Sequence, residues 1–181
     1  MEEQWRIANY DPEWRNIFLE LGSKLRESLG ERAIRIDHVG STSIIGMDAK
    51  QIIDIQISVP NLDNELSYKF RVEEVGFELR RENPDKTKKY FRELPGRSRT
   101  HIHVRQSGSF SEQVTLLFRD YLRKHPEDCL AYAQEKHRLM KLFKNERTRY
   151  VEGKGPIVWE IIQKAHFWSQ EVGWKPEKTD I

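Results

Sequence analysis

Apolar residues Trp14, Phe18, Leu21, Leu25 and Leu29 recur at spacings of four and three, the stripe of an amphipathic helix whose inner face is core. Asp11-Pro12-Glu13 supplies its start, with Asp as cap, Pro at the first helical position and an acid in the first turn, and Gly30 closes it. The period then drops to two. Ile34, Ile36 and His38 alternate with Arg35 and Asp37 between Ala33 and Val39, and Ile53, Ile55, Ile57 and Val59 alternate with Asp54, Gln56 and Ser58. The second of these strands sets a carboxylate beside an amide on a polar face that reads as open. Pro60-Asn61 ends it, and Leu62, Leu66 and Phe70 mark a helix that stops at Gly76. Three more strands are predicted, Phe77 to Arg81, Lys88 to Glu93 and Thr100 to Arg105, separated by the turn formers Asn83-Pro84-Asp85 and Leu94-Pro95-Gly96-Arg97. On the last of them Ile102 and Val104 face inward, while His101, His103 and Arg105 face the other way.

From Ser111 onward the period is helical. Val114, Leu117, Phe118, Tyr121 and Leu122 make one helix ending at His125-Pro126, Leu130, Ala133, His137, Met140 and Phe143 a second, and Val158, Ile161, Ile162, Ala165 and Trp168 a third. The aromatic side chains of Trp159, Phe167 and Trp168 are expected in the core, and the tail beyond Trp174 is expected to fray. One unit over residues 1–175 suits this length, with the sheet at about 30–106, helices at about 110–170 and a polar tail at 176–181.

Charge changes the picture locally. A net charge of +2 describes no general binder of polyanions, yet Arg80 to Arg105 holds nine basic residues against three acids, a local net of +6. Two readings stay open for that window: a patch for a triphosphate or an RNA end, or a solvated charged hairpin. The single cysteine, Cys129, forms no internal disulfide, no apolar run approaches the length of a membrane span, and the start Met1-Glu2-Glu3-Gln4 is acidic. A cytoplasmic protein with no membrane partner is expected.

The candidate chemistry gathers between Asp37 and Val59. Gly40 and Ser41 fall where a strand gives way to a tight turn or short helix, with Ser41 a good cap, and such a corner can hold phosphate. Asp54 is costly to bury among isoleucines without a partner, so it is either a functional carboxylate or half of a buried pair. His101 and His103, two apart on a strand, point the same way as two metal-binding imidazoles must, or are two surface histidines. His38 is open to both a cleft role, on phosphate or as a general base, and a structural one. Lys88, Lys89, Arg92, Arg97 and Arg99 could bind phosphates across the cleft, and Lys154 could close over it, although Gly153-Lys154-Gly155-Pro156 is already explained as a helix start.

A Gly-Ser pair, twelve intervening residues and Asp54-Ile55-Gln56 resemble the signature of the nucleotidyltransferase superfamily, in which a strand carries two acids one position apart. More narrowly, His38-Val39-Gly40-Ser41-Thr42-Ser43 with Ile52-Ile53-Asp54-Ile55-Gln56 resembles the GrpB family, also called UPF0157. Thr100-His101-Ile102-His103-Val104, Leu117 to Pro126, Tyr132 to Lys136, Tyr150 and Gly153 to Pro156 follow in the same order, so the resemblance runs from about Trp5 to Ala165.

The resemblance implies an α+β fold with a nucleotidyltransferase-like mixed β-sheet, flanking helices and a C-terminal helical segment. It implies a metal-dependent nucleotidyl transfer from a nucleoside triphosphate to an unknown acceptor. Asp54 and His38 would be catalytic, Gly40, Ser41 and Thr42 would bind phosphate with Lys89, Arg92 and Arg99, and Asp54, Gln56, His103 and His101 would hold Mg²⁺ or Mn²⁺. Gln56 departs from the superfamily's second carboxylate. A second expectation is therefore a non-catalytic nucleotide-binding or folding-assistance module linked to coenzyme A biosynthesis, since GrpB-like domains occur fused to dephospho-coenzyme A kinase. A third is RNA binding through the basic window.

Overall fold

The computed structural model describes residues 6–181; the acidic start Met1-Glu2-Glu3-Gln4 and Trp5 lie outside them. Helix α1, Glu13–Leu29, begins where the Asp11 carboxylate accepts the Glu13 N–H at 2.9 Å. It stops at Gly30, whose N–H caps the Arg26 carbonyl. Strands β1 (Arg35–Val39) and β2 (Ile53–Val59) follow, then α2 (Lys69–Glu74), β3 (Phe77–Leu79), β4 (Lys89–Glu93) and β5 (Thr100–Gln106). Helices α3 (Phe110–Lys124), α4 (Pro126–Leu142), α5 (Arg147–Gly153) and α6 (Gly155–Val172) complete the chain.

The strands form one mixed sheet in the order β1-β2-β5-β4-β3. Strands β2 and β5 run parallel; the other neighbours are antiparallel. Register then decides which residues share a face. Ile36, Ile55, Ile57, Phe91, Ile102 and Val104 line one side and close on Trp14, Phe18, Leu25 and Leu29 of α1 and Val72 of α2, forming the main core. The opposite side carries Asp37, Asp54, Gln56, Ser58, His101, His103, Tyr90 and Arg92, with Asp54 aligned to His101 and Gln56 to His103. That face is not wholly open. At Gln56 and Ser58 the start of α3 lies over it: Gln56 Nε2 donates to the Glu112 carbonyl at 3.3 Å and Ser58 to the Glu112 carboxylate.

A second core joins the helices to the segment after Gly40, through Ile44, Met47, Tyr121, Leu122, Tyr132, Ala133, Ile161 and Ala165. Helix α4 buries Cys129, Tyr132, Ala133, Lys136 and Leu139, one step out of phase with the predicted stripe, and leaves Leu130 exposed. Hydrophobic spacing misses that phase because the buried face includes a lysine. Trp159 and Phe167 are also exposed, where core positions were expected; Trp168 alone packs inward, on Tyr121 and His125. Helix α5 occupies a stretch in which apolar spacing predicts no element.

The tail beyond Trp174 docks instead of fraying. Thr179 exchanges hydrogen bonds with both backbone groups of Ile36, and Asp180 accepts the His38 N–H at 2.9 Å, so the tail covers the free edge of β1. Trp174 Nε1 donates to Asp120, and Ile181 packs at Gly22. Arg119, 2% exposed, ties this region together by facing Asp120 at 2.8 Å, Asp180 at 3.2 Å and Asp37 at 3.6 Å while donating to the His38 carbonyl. Asp37 also accepts from Nε and Nη2 of Arg35.

Removing one member of such a buried network strands the others. Arg119→Met is expected to cost about 3–5 kcal/mol in urea denaturation, while Arg138→Met, in an exposed pair with Glu135, leaves the midpoint in place. Equal midpoints for the two variants would show that the network contributes nothing.

Candidate functional site

The turn after β1 is shaped by one close approach. Gly40 has φ of 70°, and a Cβ on it would lie 2.6 Å from Asp54 Oδ2, so only glycine lets the carboxylate reach this backbone. Ser41–Ser43 then form a single 3₁₀ turn. Ser41 accepts a hydrogen bond from Lys136 Nζ at 3.0 Å, and the same ammonium donates to the Asp48 carbonyl at 2.6 Å. Thr42 donates to the Ile52 carbonyl.

Asp54 and the β5 histidines form a compact group. Asp54 Oδ1 lies 3.0 Å from His103 Nε2 and 3.3 Å from His101 Nδ1. Burial works against the charged carboxylate, but the hydrogen bonds from both histidines outweigh it and hold Asp54 well below the usual carboxylate range. Burial likewise lowers His103, against the pull of Asp54, so its imidazole is in the neutral form that can ligate a metal. Among the described residues, Asp54, His101 and His103 are the one set of histidine, cysteine and acidic side chains placed to share an ion.

A cleft of about 470 Å³ opens beside this group, lined by Ser41, Thr42, Gln51, Asp54, His101 and Tyr150 together with Arg6, Lys50, Arg99, Lys136, Arg147 and Lys154. Among the described residues, six basic side chains from separate parts of the chain thus surround one carboxylate. Burial, reinforced by neighbouring cations, pushes both Lys50 and Lys136 down to about 7. Lys154 is lowered as well, chiefly by burial. Lys50 and Lys154 sit over the Tyr150 ring, and Lys136 over Tyr132, whose hydroxyl is pushed up to about 12 by burial. Cations crowded together at such cost are characteristic of sites that take an anionic ligand.

Among the residues singled out from sequence, Ser41, Thr42, Asp54, Arg99, His101 and Lys154 line the cleft, Gly40 underlies it, and His103 stands behind Asp54. His38, Lys89, Arg92 and Gln56 do not join them. His38 points through the sheet to the α1 side, stacked on Phe18 at 4.7 Å and within 3.0 Å of Thr42 Oγ1. Burial drives its imidazole to about 3, so it carries no charge there. Lys89 is one residue out of phase with Tyr90 and Arg92 and therefore leaves by the other face, toward Glu65. Arg92 shares a row with His101 but is held by both oxygens of Glu93.

Most of the remaining basic window is similarly engaged: Arg80 with Glu78, Arg81 with Glu65, Lys88 with Asp85 and Arg97 on the Val75 carbonyl. The window is a charge-paired hairpin that contributes Arg99, itself 3.1 Å from Glu93 Oε1, to the cleft. Gln56 is fully buried beneath α3 and lies outside the cleft lining.

Sequence reasoning assigns no role to Lys50, Lys136, Arg147 or Tyr150. A signal exists, because Tyr132 to Lys136, Tyr150 and Gly153 to Pro156 are segments that carry the GrpB resemblance, and the fold brings all of them to this cleft. No helix among the described residues is long and apolar enough to cross a membrane.

Comparison with known proteins agrees with that resemblance. A UPF0157 protein of Pseudomonas aeruginosa is 36% identical over 167 residues, covering 91% of this chain and 69% of the relative. A dephospho-CoA kinase of Mycobacterium bovis is 29% identical over 94% of this chain, which spans 48% of that protein. The crystal structure of the conserved protein GrpB from Enterococcus faecalis superposes with a TM-score of 0.81 at 27% identity, covering 90% of this chain and 99% of that one. The family model described as GrpB protein matches residues 4–164, and the chain belongs to the GrpB family.

Proposed function

We propose that the cleft binds a nucleoside triphosphate and that the protein transfers its nucleotidyl group to an acceptor. The observation that carries this reading is the convergence of six cations on a cleft whose one lining acid among the described residues is Asp54, set against the Gly40-Ser41 turn. A triphosphate is a small polyanion of the sign that this basic lining calls for, and Ser41 and Thr42 present a corner of the phosphate-binding type. Lys136 and Lys50 would hold and orient the phosphates and neutralise charge that develops on them, with Arg99, Arg147 and Lys154 around them. Phosphoryl chemistry asks little more of a protein than this placement and charge.

The nucleotidyltransferase reading also expects Mg²⁺ or Mn²⁺. One carboxylate and two imidazoles fit a cation that accepts nitrogen better than Mg²⁺, which favours oxygen in strict octahedral geometry. The donor set thus departs from the oxygen-rich one that Mg²⁺ takes.

One observation favours the alternative of a nucleotide-binding module without turnover, accessory in function. Where the superfamily signature has a second carboxylate, this chain has Gln56, locked on a backbone carbonyl under α3. The kinase relative, about twice as long as the matched region, is consistent with such an accessory role. The two readings share the cleft and differ only in whether product forms. RNA binding through the basic window is less favoured, because most of that window is internally paired.

Thermal shift separates binding from its absence. A nucleotide at about 100 times its Kd raises the melting temperature by roughly 5–10 °C in a chain of this length. ATP, GTP, CTP and UTP, each with and without Mg²⁺ or Mn²⁺, are expected to give such a shift for at least one pair, and Asp54→Asn to abolish its metal dependence. No shift with any pair removes the reading.

The lysines give an independent check. Seating phosphates between Lys50 and Lys136 raises both above their depressed values, so binding takes up protons and affinity falls as pH climbs from about 7 to about 9. Calorimetry in buffers of different ionisation enthalpy reads that uptake. Lys136→Met is expected to diminish it and weaken binding by about 10–100-fold. A flat pH profile would take the two lysines out of the phosphate site.

A further inference from the structure

The β5 histidines place something in this site that a hard-cation centre does not need. Bonds of roughly 2.0–2.2 Å from a transition-metal ion to imidazole nitrogen and carboxylate oxygen set neighbouring ligand atoms about 3.0–3.4 Å apart. Asp54 Oδ1 already stands 3.0 Å from His103 Nε2 and 3.3 Å from His101 Nδ1, and one ligand atom from each residue lies within 4.8 Å of the others. Both carboxylate–imidazole separations thus match neighbouring ligands of a single ion, and the third lies within reach of one.

A purely hydrogen-bonded trio could share that spacing, and the donor set and the fixed rings are what favour an ion. Both inner nitrogens turn to one carboxylate oxygen, and an ion would replace those two hydrogen bonds with two metal–nitrogen bonds while each ring carries its proton on the outer nitrogen. His101 Nε2 and His103 Nδ1 are buried without a hydrogen-bond partner among the described residues in either case. Tyr90 fixes the rings, standing edge-on to His101 at 5.4 Å and stacked on His103 at 5.5 Å, and the β2–β5 ladder holds both residues opposite Asp54 and Gln56. Arg92, the neighbouring cation in the His101 row, is neutralised by Glu93.

We infer that Asp54, His101 and His103 form a two-histidine, one-carboxylate site selective for a first-row transition-metal dication over Mg²⁺. Imidazole suits such ions, whereas Mg²⁺ prefers carboxylate, phosphate and water oxygen. The inference deepens the proposed function and rests on its reading of Asp54 as the functional carboxylate of the cleft.

The test uses the full chain, stripped of metal and free of nucleotide, titrated with Co²⁺ and followed by visible d–d absorption and calorimetry, with Mg²⁺ as competitor. One equivalent of Co²⁺ is expected to develop the band, and Mg²⁺ in large excess to leave it unchanged. His101→Ala and His103→Gln are each expected to weaken Co²⁺ binding by about tenfold or more. Co²⁺ binding that survives both substitutions, or that Mg²⁺ displaces at comparable concentration, overturns the inference. Should His103→Gln fail to fold by circular dichroism, His101→Ala and the wild-type competition make the same decision. A nucleotide shift with Mg²⁺ in a protein whose histidines ignore Co²⁺ would sink this inference alone. A selective Co²⁺ site in a protein that no nucleotide stabilises would sink the nucleotide reading alone.

Discussion

Asp54 stands on a strand whose other face is packed with isoleucine, and its carboxylate closes on the backbone of Gly40, where no side chain fits. Much of the site depends on that contact. It fixes the turn after β1 against β2, which puts Ser41 where Lys136 of α4 can reach it and draws the helical layer to the sheet. The same carboxylate gathers His101 and His103 from β5. Three segments remote in sequence therefore meet at one side chain, and the rigidity of the isoleucine face beneath it keeps them in place.

The protein handles buried positive charge in two opposite ways. Arg119 is enclosed by Asp37, Asp120 and Asp180, and those carboxylates, overcoming burial, raise its hold on the proton. Its charge is compensated and its work is to join β1, α3 and the tail. Lys50, Lys136 and Lys154 are also removed from water, but they face one another across a cleft with a single lining acid among the described residues, and their pKa values fall. A buried cation enclosed by acids needs nothing further, whereas cations crowded around one acid gain when a polyanion enters. The contrast sets a structural cation apart from those of the candidate site without appeal to any relative.

Period-two alternation is enough to read β1, β2 and β5 and to set Asp54, His101 and His103 on one face, because strand geometry makes that placement independent of tertiary detail. The Gly-Ser corner is legible for a similar reason: Gly40 is one of the few residue choices a positive φ permits. Other features are not local. His38 alternates correctly, yet which side of β1 meets α1 follows from register with β2. Lys136 occupies a buried helical position that hydrophobic periodicity excludes by construction, and this also shifts the inferred face of α4. The tail reads as polar because Thr179 and Asp180 meet a sheet edge by hydrogen bonding, while Ile181 adds an apolar contact with the core that spacing does not reveal.

The amide at position 56 is best understood through the same geometry. Gln56 lies deeper along β2 than Asp54, at 0% exposure, under the first turn of α3. Its Nε2 satisfies the Glu112 carbonyl, while the Glu112 carboxylate is itself buried and occupied by Ser58, the Gly108 N–H and Gln113, none of them a cation. A glutamate in place of Gln56 would remove a donor from that carbonyl and set a second charge beside a buried carboxylate whose partners are all neutral. The departure from the two-acid signature is therefore coupled to where α3 sits. With the deeper position closed to charge, the polar groups that stand beside Asp54 are the two imidazoles of β5, and the amide at position 56 and the histidine pair are parts of one arrangement.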